Sequence, residues 1–337
     1  MSVLSEKRLV CQHLSYCLLL LVVLTCCHSA AYSKASDVKI RAATKRTLHF
    51  PKAVALGVIN LGNETLAFGP PVQNHAVAGA MGDVTISVPA GQRVIFEANR
   101  RVFENPKYLD QISPAGIDGL KLGMISLADR EDDMCDAALG HVVHFQGLTE
   151  VNVDRSEATD AGLAKLKDVP SLVVISCFLS SIDGRCFKEL STLPALRGLW
   201  ASYCQLKAEN LRYLGQFPKL QLLNLDWTHL DAVGARYLAN CRQLEDLSVK
   251  GNVRFNDSCL VYIQSLKNLK RLDLRGTSVS IAGVRKLKGI ALNSLYLPAA
   301  MQENLADARR IFPNVSIYLE EKKTVDKEEK TLYAPLH

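Results

Sequence analysis

A block of about 24 residues recurs along the second half of the chain, and each copy opens on a leucine. The opening leucines are Leu148, Leu172, Leu196, Leu220, Leu244, Leu269 and Leu292. They are separated by 24, 24, 24, 24, 25 and 23 residues. Self-similarity at such a period is typical of solenoids, in which a unit buries its apolar face only by stacking on its neighbours. The sequence therefore predicts an elongated repeat domain over residues 119–319, with about 7–8 repeats and a weaker copy that opens at Leu122.

Each copy carries two hydrophobic periodicities, one after the other. Its first six residues follow L-x-x-L-x-L, as in Leu220, Leu223 and Leu225, and this pattern predicts a short strand with one buried side. Later apolar residues recur at helical spacing, as in Leu211 and Leu214. Each unit is therefore predicted to be strand, turn, helix, turn, and the fold to be an α/β solenoid.

The stretch 156–166, SEATDAGLAKL, is the clearest copy and contains T-D-A-G-L. The chain resembles the leucine-rich repeat family over roughly residues 120–320. More narrowly, it resembles the bacterial exported proteins built on T-D-A-G-L units, which are related in pattern to ribonuclease-inhibitor-like horseshoes. The resemblance implies parallel strands on a concave face, helices on a convex face and a binding scaffold. Thr159 and Asp160 are interpreted as caps for free N–H groups at the start of the helix rather than as catalytic groups.

Residues 1–31 read as an export signal. The charged stretch 6–8 precedes the apolar run 14–27, and small residues follow at Ser29 and Ala31. The run of about 14 residues is shorter than the ~20 that a membrane-spanning helix needs. The sequence predicts export to the periplasm, the cell envelope or the medium. Cleavage, lipidation of a cysteine in the run, or retention as a membrane anchor through residues 14–27 remain open.

Three further segments flank the repeats. Residues 32–52 are rich in Lys and Arg and are predicted to be a basic flexible linker, either solvated or in contact with an anionic membrane or envelope surface. Residues 53–118 are predicted to be a small β-rich unit that caps the solenoid, with two strands around Gly62-Asn63 and a turn at 89–92. Residues 320–337 carry dense charge of both signs and are predicted to be a disordered tail.

Six cysteines lie beyond the signal segment, and they raise the question of disulfides because the chain is predicted to be exported. They are Cys135, Cys177, Cys186, Cys204, Cys241 and Cys259. Cys186 and Cys259 share one helix position but are three units apart, too far for the ~5.5 Å between Cα atoms that a disulfide needs. The prediction is therefore reduced, buried thiols that pack as small hydrophobic groups. Cys204 occupies the ninth position of its unit, which resembles the polar ladder of the family. In other units that position holds Ser156, Ser180, Thr228, Asn252 and Thr277.

No pattern in the sequence predicts catalysis, a cofactor or a metal. Residues 78–82, AGAMG, lack the Lys and Ser/Thr of a phosphate-binding loop, and G-x-S-x-G is absent. His141 and His144 lie three residues apart without a third ligand nearby and are interpreted as exposed surface residues. The net charge of +6 over 337 residues is too small to indicate nucleic-acid binding. The chain is predicted not to be an enzyme.

The candidate binding residues lie where the repeat leaves side chains free to vary. In this repeat geometry the third, fifth and seventh residues of a unit face the concave side, and the eighth lies at its edge. The predicted partner-binding set is Phe178, Leu179, Trp200, Tyr203, Leu222, Trp227, Lys250, Arg271 and Arg275. An exposed aromatic cluster with a charged flank is typical of a protein-binding hot spot. A protein partner is expected, with an envelope polymer as an alternative.

Two other functions remain open at this stage. The first is a structural component of the cell envelope that self-associates through the edges of the solenoid and has no dedicated ligand. The second is an intracellular adaptor. The export signal argues against the adaptor, and residues 48–118 lack the helical pattern of a recruiting domain.

Overall fold

The computed structural model describes residues 42–63, 75–123 and 131–320. The predicted export signal and residues 321–337 of the predicted tail lie outside this part. The strands of the described residues are β1 Thr44–His49, β2 Gly57–Asn63, β3 His75–Gly79, β4 Asp83–Val88, β5 Gln92–Ala98, β6 Gly119–Lys121, β7 Glu150–Asn152, β8 Val174–Ser176, β9 Gly198–Trp200, β10 Leu222–Asn224, β11 Asp246–Ser248, β12 Arg271–Asp273, β13 Ser294–Leu297 and β14 Ser316–Leu319.

The helices are short. The α-helices are α1 Arg100–Glu104, α2 Glu131–Leu139, α3 Asp160–Ala164, α4 Phe187–Leu190, α5 Ala232–Leu238, α6 Leu260–Ile263, α7 Ile281–Arg285 and α8 Leu305–Ile311. The 3₁₀ helices are Pro106–Gln111, Val142–His144, Lys165–Asp168, Ala208–Gln216 and Ala299–Asn304. One unit thus carries a 3₁₀ helix, Ala208–Gln216, along its whole helical segment, where helical spacing alone does not distinguish the two forms.

Twelve of the described strands form one sheet in the order β14-β13-β12-β11-β10-β9-β8-β7-β6-β5-β2-β3. From β5 to β14 every neighbouring pair is parallel, and each repeat adds one strand beside the strand of the previous repeat. Leu223 lies opposite Leu199 on one side and Leu247 on the other. This strand order, with helices connecting the strands, is that of an α/β leucine-rich-repeat solenoid, and the predicted fold class is confirmed.

The leucines of the repeat form the core between the strands and the helices. Leu220, Leu223 and Leu225 are at most 2% exposed, and the equivalent residues of the other units are buried in the same way. Because a buried Leu side chain contributes about 1.5–3 kcal/mol when it leaves water, this stacked column provides most of the driving force for folding.

The T-D-A-G-L pattern is explained by contacts between neighbouring repeats. The Asp136 carboxylate accepts hydrogen bonds from the backbone N–H and hydroxyl of Thr159, at 2.9 and 2.6 Å. A Cβ atom on Gly162 would lie 2.0 Å from Asp136 Oδ1, so only glycine leaves room for that carboxylate. Asp257 and Ser280 repeat the arrangement beside Gly283.

Asp160 caps free N–H groups, as the sequence predicts, but they belong to the next repeat rather than to its own helix. Its buried carboxylate accepts hydrogen bonds from the backbone N–H groups of Asp183, Gly184 and Cys186, which belong to the next repeat. The start of α3 is capped instead by Thr159, whose hydroxyl accepts from Ala161 N at 3.1 Å. Both residues are scaffold, and Asp160 is one of the contacts that fix the spacing between units.

The polar ladder at the ninth position is present. The hydroxyls of Ser156, Thr228 and Thr277 each donate to the carbonyl oxygen three residues earlier, at 2.6–2.8 Å. Asn252 donates to Leu225 O and Val249 O and so joins two units. At the same position the Cys204 thiol donates to Cys177 O at 3.0 Å.

The six cysteines beyond the signal segment are buried, and no disulfide joins any two of them. Burial raises the pKa of the Cys241 thiol to about 12 and also raises the pKa of Cys186. Thiols with raised pKa values are poor nucleophiles because the thiolate is the reactive form. These side chains act as small hydrophobic groups in the core, as predicted.

The N-terminal unit continues the sheet of the repeats. Its strand β5 pairs with β6 in parallel, while β2 pairs with β5 and β3 in antiparallel fashion. The sheet is therefore continuous from the N-terminal unit into the first repeat.

Three details of the sequence interpretation are wrong. Residues 44–49, expected in a flexible linker, form β1 because β4 provides a full antiparallel partner. Strand β2 runs through Gly62-Asn63, where a turn was expected, because β5 pairs with it as far as Asn63. The weaker copy opens at Ile117 rather than Leu122, since Leu120 is the residue that lies opposite Val151.

Candidate partner-binding edge

The eighth residue of six successive repeats adopts the left-handed backbone conformation. These residues are Arg155, Leu179, Tyr203, Trp227, Gly251 and Gly276, with φ between 55° and 74°. The chain leaves the strand at this point and turns toward the helix. For a residue other than glycine this conformation costs on the order of 1 kcal/mol. Because the repeat fixes both position and backbone angle, the eighth side chains stack in one column along the edge of the strand face.

Aromatic rings in this column contact one another. Tyr203 and Trp227 stack with ring centroids 5.7 Å apart and an interplanar angle of 22°. Phe178, the seventh residue of its unit, meets Tyr203 edge-on at 5.3 Å. The Arg155 guanidinium lies 5.7 Å from the Phe178 ring centroid, within the range of a cation–π contact. We call Arg155, Phe178, Leu179, Tyr203 and Trp227 the edge ladder.

In the two repeats that follow the edge ladder, the eighth residue is a glycine, Gly251 and then Gly276. A Cβ atom on Gly251 would lie 2.2 Å from the Trp227 ring, so the indole rests directly on the Gly251 backbone. One face of Trp227 is thus covered by Tyr203 and the other by Gly251, yet 43% of the residue is exposed. The exposed part of Trp227 is therefore mainly the rim of the ring.

The other predicted binding residues are placed differently. Trp200 lies half-buried on the strand face and folds over Gly198, where a Cβ atom would lie 2.3 Å from its ring. Leu222 is only 9% exposed, because its side chain packs within the sheet face. The expectation that Leu222 and Arg271 form part of an accessible surface is wrong for both side chains.

Arg271 is 8% exposed because its charge is used inside the protein. Its guanidinium donates to Asp246 at 2.8 Å, contacts Asp273 and lies 4.7 Å from the Tyr296 ring centroid. Arg275 also pairs with Asp273, through Nε at 2.9 Å. The charged flank is mainly an internal network across β11, β12 and β13.

Two carboxyl groups on this part of the strand face have raised pKa values. Burial, together with the charge of Asp273, raises the pKa of Asp226 to about 6. Burial also raises the pKa of Asp246 to about 6, although Arg271 opposes the shift. Asp226 Oδ1 accepts from Ser248 Oγ at 2.5 Å and from Lys250 N at 2.8 Å. The backbone of Lys250 is thus fixed, while its side chain remains half-buried.

A cleft of about 300 Å³ lies beside the edge ladder. Its apolar wall includes Leu179 and Tyr203, and its polar rim includes Glu157, Asp183 and Arg185. The charges of the rim have partners, since Asp183 pairs with Arg185 at 3.0 Å and with Lys207 at 3.2 Å. Glu157 accepts from Ser181 Oγ at 2.7 Å. The cleft therefore combines an apolar wall with a polar rim in which acidic side chains outnumber basic ones.

Sequence reasoning found the eighth-position aromatic residues but missed Arg155 and the unusual backbone. The available signal was the pair of glycines, Gly251 and Gly276, at the same position in two successive units. A glycine that recurs at one turn position indicates a positive φ there. The bulky residues at that position in other units therefore carry a conformational cost.

The two histidines noted in the sequence are half-buried rather than exposed, because both contact the 3₁₀ segment near residue 110. His141 Nδ1 lies 2.8 Å from Asp110 Oδ2, and His144 Nε2 lies 2.9 Å from Ile112 O. In residues 42–63, 75–123 and 131–320, no group of three or more His, Cys, Asp or Glu side chains is arranged to hold a metal ion. The same residues contain no helix long and apolar enough to cross a bilayer.

No protein-family model matches the chain, and no curated protein matches it. Two of the solved structures that match are a plant peptide hormone receptor and TLR13. A plant peptide hormone receptor, RGFR1, in complex with RGF2 is 16% identical, with a TM-score of 0.33 over 55% of this chain and 28% of that chain. TLR13 in complex with ssRNA13 is 15% identical, with a TM-score of 0.39 over 65% of this chain and 34% of that chain. The chain covers about a third of the length of either structure, and similarities at this level carry no argument about function.

Proposed function

We propose that this protein is an exported, non-catalytic leucine-rich-repeat protein that binds a protein partner along the edge ladder. The N-terminal pattern of residues 1–31 supports export, and the T-D-A-G-L unit at 159–163 supports a relation to bacterial exported repeat proteins. The single observation that carries the binding function is the edge ladder itself, because the stacking of the repeats does not require its side chains.

The backbone of the edge ladder supports a selected role. Leu179, Tyr203 and Trp227 hold left-handed conformations with φ of 55–59°, whereas Gly251 and Gly276 fill the same position without that cost. Large side chains in strained conformations persist where something else favours them, and binding sites are where such strain concentrates. Exposed Trp and Tyr side chains are also the residues most enriched at interface hot spots.

The way the rings are presented favours a protein over a glycan or a nucleic acid. Nucleobases and sugar rings bind aromatic side chains through the flat ring face. In the edge ladder the faces of Tyr203 and Trp227 cover each other, and the second face of Trp227 rests on Gly251. What remains exposed is the rim, which carries partial positive charge and prefers aromatic faces and carbonyl oxygens. A polypeptide segment supplies both.

The test is capture of the partner by the full chain and by two tryptophan variants. The chain serves as bait on extracts of the cells that produce it, and captured proteins are quantified by mass spectrometry. Trp227→Ala is expected to weaken capture by about 30-fold, the equivalent of a hot spot of about 2 kcal/mol.

Trp200→Ala is the matched control, because Trp200 lies on the same strand face but outside the edge ladder. Circular dichroism checks that both variants keep their fold. A partner that is retained by Trp227→Ala, or lost equally from both variants, would contradict binding along the edge ladder.

A further inference from the structure

The described part of the chain ends on the same edge of the sheet as the edge ladder. Glu320 Oε2 accepts a hydrogen bond from Gly276 N at 2.9 Å, and Gly276 is the eighth residue of its repeat. The backbone of Glu320 is also held, since its N–H donates to Leu297 O at 3.0 Å. Gly276 lies next to Gly251, on which Trp227 rests. Glu320, the last residue of the described part, therefore lies on the same edge of the sheet that carries the exposed aromatic rims.

The length of this C-terminal segment suits the edge ladder. From β14 to β10, the strand that precedes Trp227, there are four strand spacings, or about 19 Å at ~4.8 Å each. The strand that precedes Arg155, β7, is seven spacings from β14, or about 34 Å. The ten residues 321–330 span up to about 33 Å when extended, at ~3.3 Å per residue. They can place residue 331 anywhere along the ladder.

The composition of the segment divides it into a spacer and an apolar end. Residues 321–330, EKKTVDKEEK, contain four acidic and four basic side chains and so have no net charge. Residues 331–337, TLYAPLH, contain Leu332, Tyr333 and Leu336. An apolar segment with one aromatic ring has the groups that the rims of Tyr203 and Trp227 prefer.

We propose that residues 331–337 of this chain occupy the edge ladder when no partner is bound, so that the C-terminal segment competes with the partner. The inference goes beyond the proposed function, because it concerns a different occupant of the same surface and requires no partner for its test. The hydrogen bond between Glu320 and Gly276 holds the residue that precedes this segment on the same edge of the sheet as the edge ladder.

The test uses the accessibility of Trp227 in the full chain. The chain has two tryptophans, so Trp200→Phe leaves Trp227 as the single emitter. In this background, Leu332→Ala, Tyr333→Ala and Leu336→Ala together should raise the acrylamide quenching constant of Trp227 about twofold. The matched control replaces Lys322, Asp326 and Glu329 of the spacer by Ala and should leave the constant unchanged. Equal quenching in the two triple variants and in their parent would overturn the proposal.

The dependence on protein concentration identifies the source of the segment. Protection of Trp227 that does not change with concentration supports docking within one molecule. Protection that grows with concentration would show that the segment comes from a second copy and would overturn the proposal as stated.

The two proposals fail separately. Competition is supported if Trp227 loses its protection from acrylamide in the apolar triple variant and if this variant also captures more partner than the parent does. If Trp227 is protected but no partner depends on it, the proposed function fails while the inference about the C-terminal segment stands.

Discussion

At the scale of single residues, the repeat fixes backbone angles as well as burial. His229, the tenth residue of its unit, has a φ of 59° and is exposed. Gln205, the tenth residue of the preceding unit, is exposed too but is not among the positive-φ residues. Two residues at equivalent positions thus differ in backbone strain while both side chains extend into solvent.

We predict that glycine has opposite effects at these two positions. His229→Gly relieves the left-handed strain and is expected to be neutral or to stabilise the protein by about 0.5 kcal/mol. Gln205→Gly relieves no strain and only increases the conformational entropy of the unfolded chain. It is therefore expected to lower the free energy of unfolding by about 0.5–1 kcal/mol. Urea unfolding of the two variants measures the difference, and equal effects would show that the strain at His229 is not significant.

The sequence predicts burial at this scale better than backbone angle. The leucines of L-x-x-L-x-L and the polar ninth position follow from periodicity, which depends on side-chain chemistry. The positive φ of Leu179 and Tyr203 does not follow, because both residues normally avoid that conformation. Only the glycines at the same position in later units, Gly251 and Gly276, indicate it.

At the scale of elements, strands are more predictable than the contacts between repeats. The strands β7 to β13 follow from the alternation of buried and free side chains within a unit. The contact of Asp160 with the next repeat does not, since a hydrogen bond from Gly184 N leaves no periodic trace in the sequence. The register of the weaker first copy does not follow from the repeat either, because its spacing, from Ile117 to Leu148, departs from 24 residues.

The strands β10, β11 and β12 bring three carboxylates, those of Asp226, Asp246 and Asp273, onto one part of the sheet, and this arrangement predicts a pH dependence of stability. The pKa of Asp226 is raised from 3.8 to about 6 by burial and by the charge of Asp273. A group with a raised folded-state pKa binds its proton more tightly in the folded protein than in the unfolded chain. The contribution of Asp226 to the free energy of unfolding therefore falls as pH rises from about 4 to about 6.

Asp226→Asn should remove this loss. Asparagine can keep Oδ1 as the acceptor for Ser248 Oγ and Lys250 N while it removes the buried charge. We expect the variant to be more stable than the parent by about 2–3 kcal/mol at neutral pH, and the gain to shrink toward pH 4. Urea unfolding at several pH values measures the difference. A gain in stability that does not change with pH would contradict a raised pKa of Asp226 in the folded protein.

Asp183→Asn provides a control of opposite sign. Burial disfavours ionisation of Asp183, but hydrogen bonds from Lys207 and Arg185 outweigh it and lower the pKa. Its ion pairs stabilise the folded state above the unfolded-state pKa, and that contribution is lost as pH falls through the lower, folded-state pKa. The variant is therefore expected to be less stable than the parent at neutral pH, with a smaller deficit in acid.

At the scale of the whole molecule, one continuous sheet joins the N-terminal unit to the repeats. Asp118 lies at the junction, where its Oδ2 accepts from Arg46 Nη1 at 2.6 Å and from Val94 N at 2.8 Å. Its carbonyl oxygen accepts from Thr149 N and Glu150 N in the next repeat. One residue thus connects β1, β5 and the first regular unit. In solenoids each unit contacts only its neighbours, so a local loss of stability should fade along the chain.

This reasoning predicts a graded response to Arg46→Ala. The substitution removes the cation opposite a carboxylate whose side chain is 7% exposed, and is expected to cost about 2–3 kcal/mol. Amide hydrogen exchange should accelerate strongly in β1, β4 and β5, weakly in β6 and β7, and hardly at all in β10 to β12. Arg100→Ala is the matched control, because the Arg100–Glu104 pair is exposed on both sides and should contribute little. Equal acceleration in all strands after Arg46→Ala would show instead that the N-terminal unit and the repeats unfold as one cooperative body.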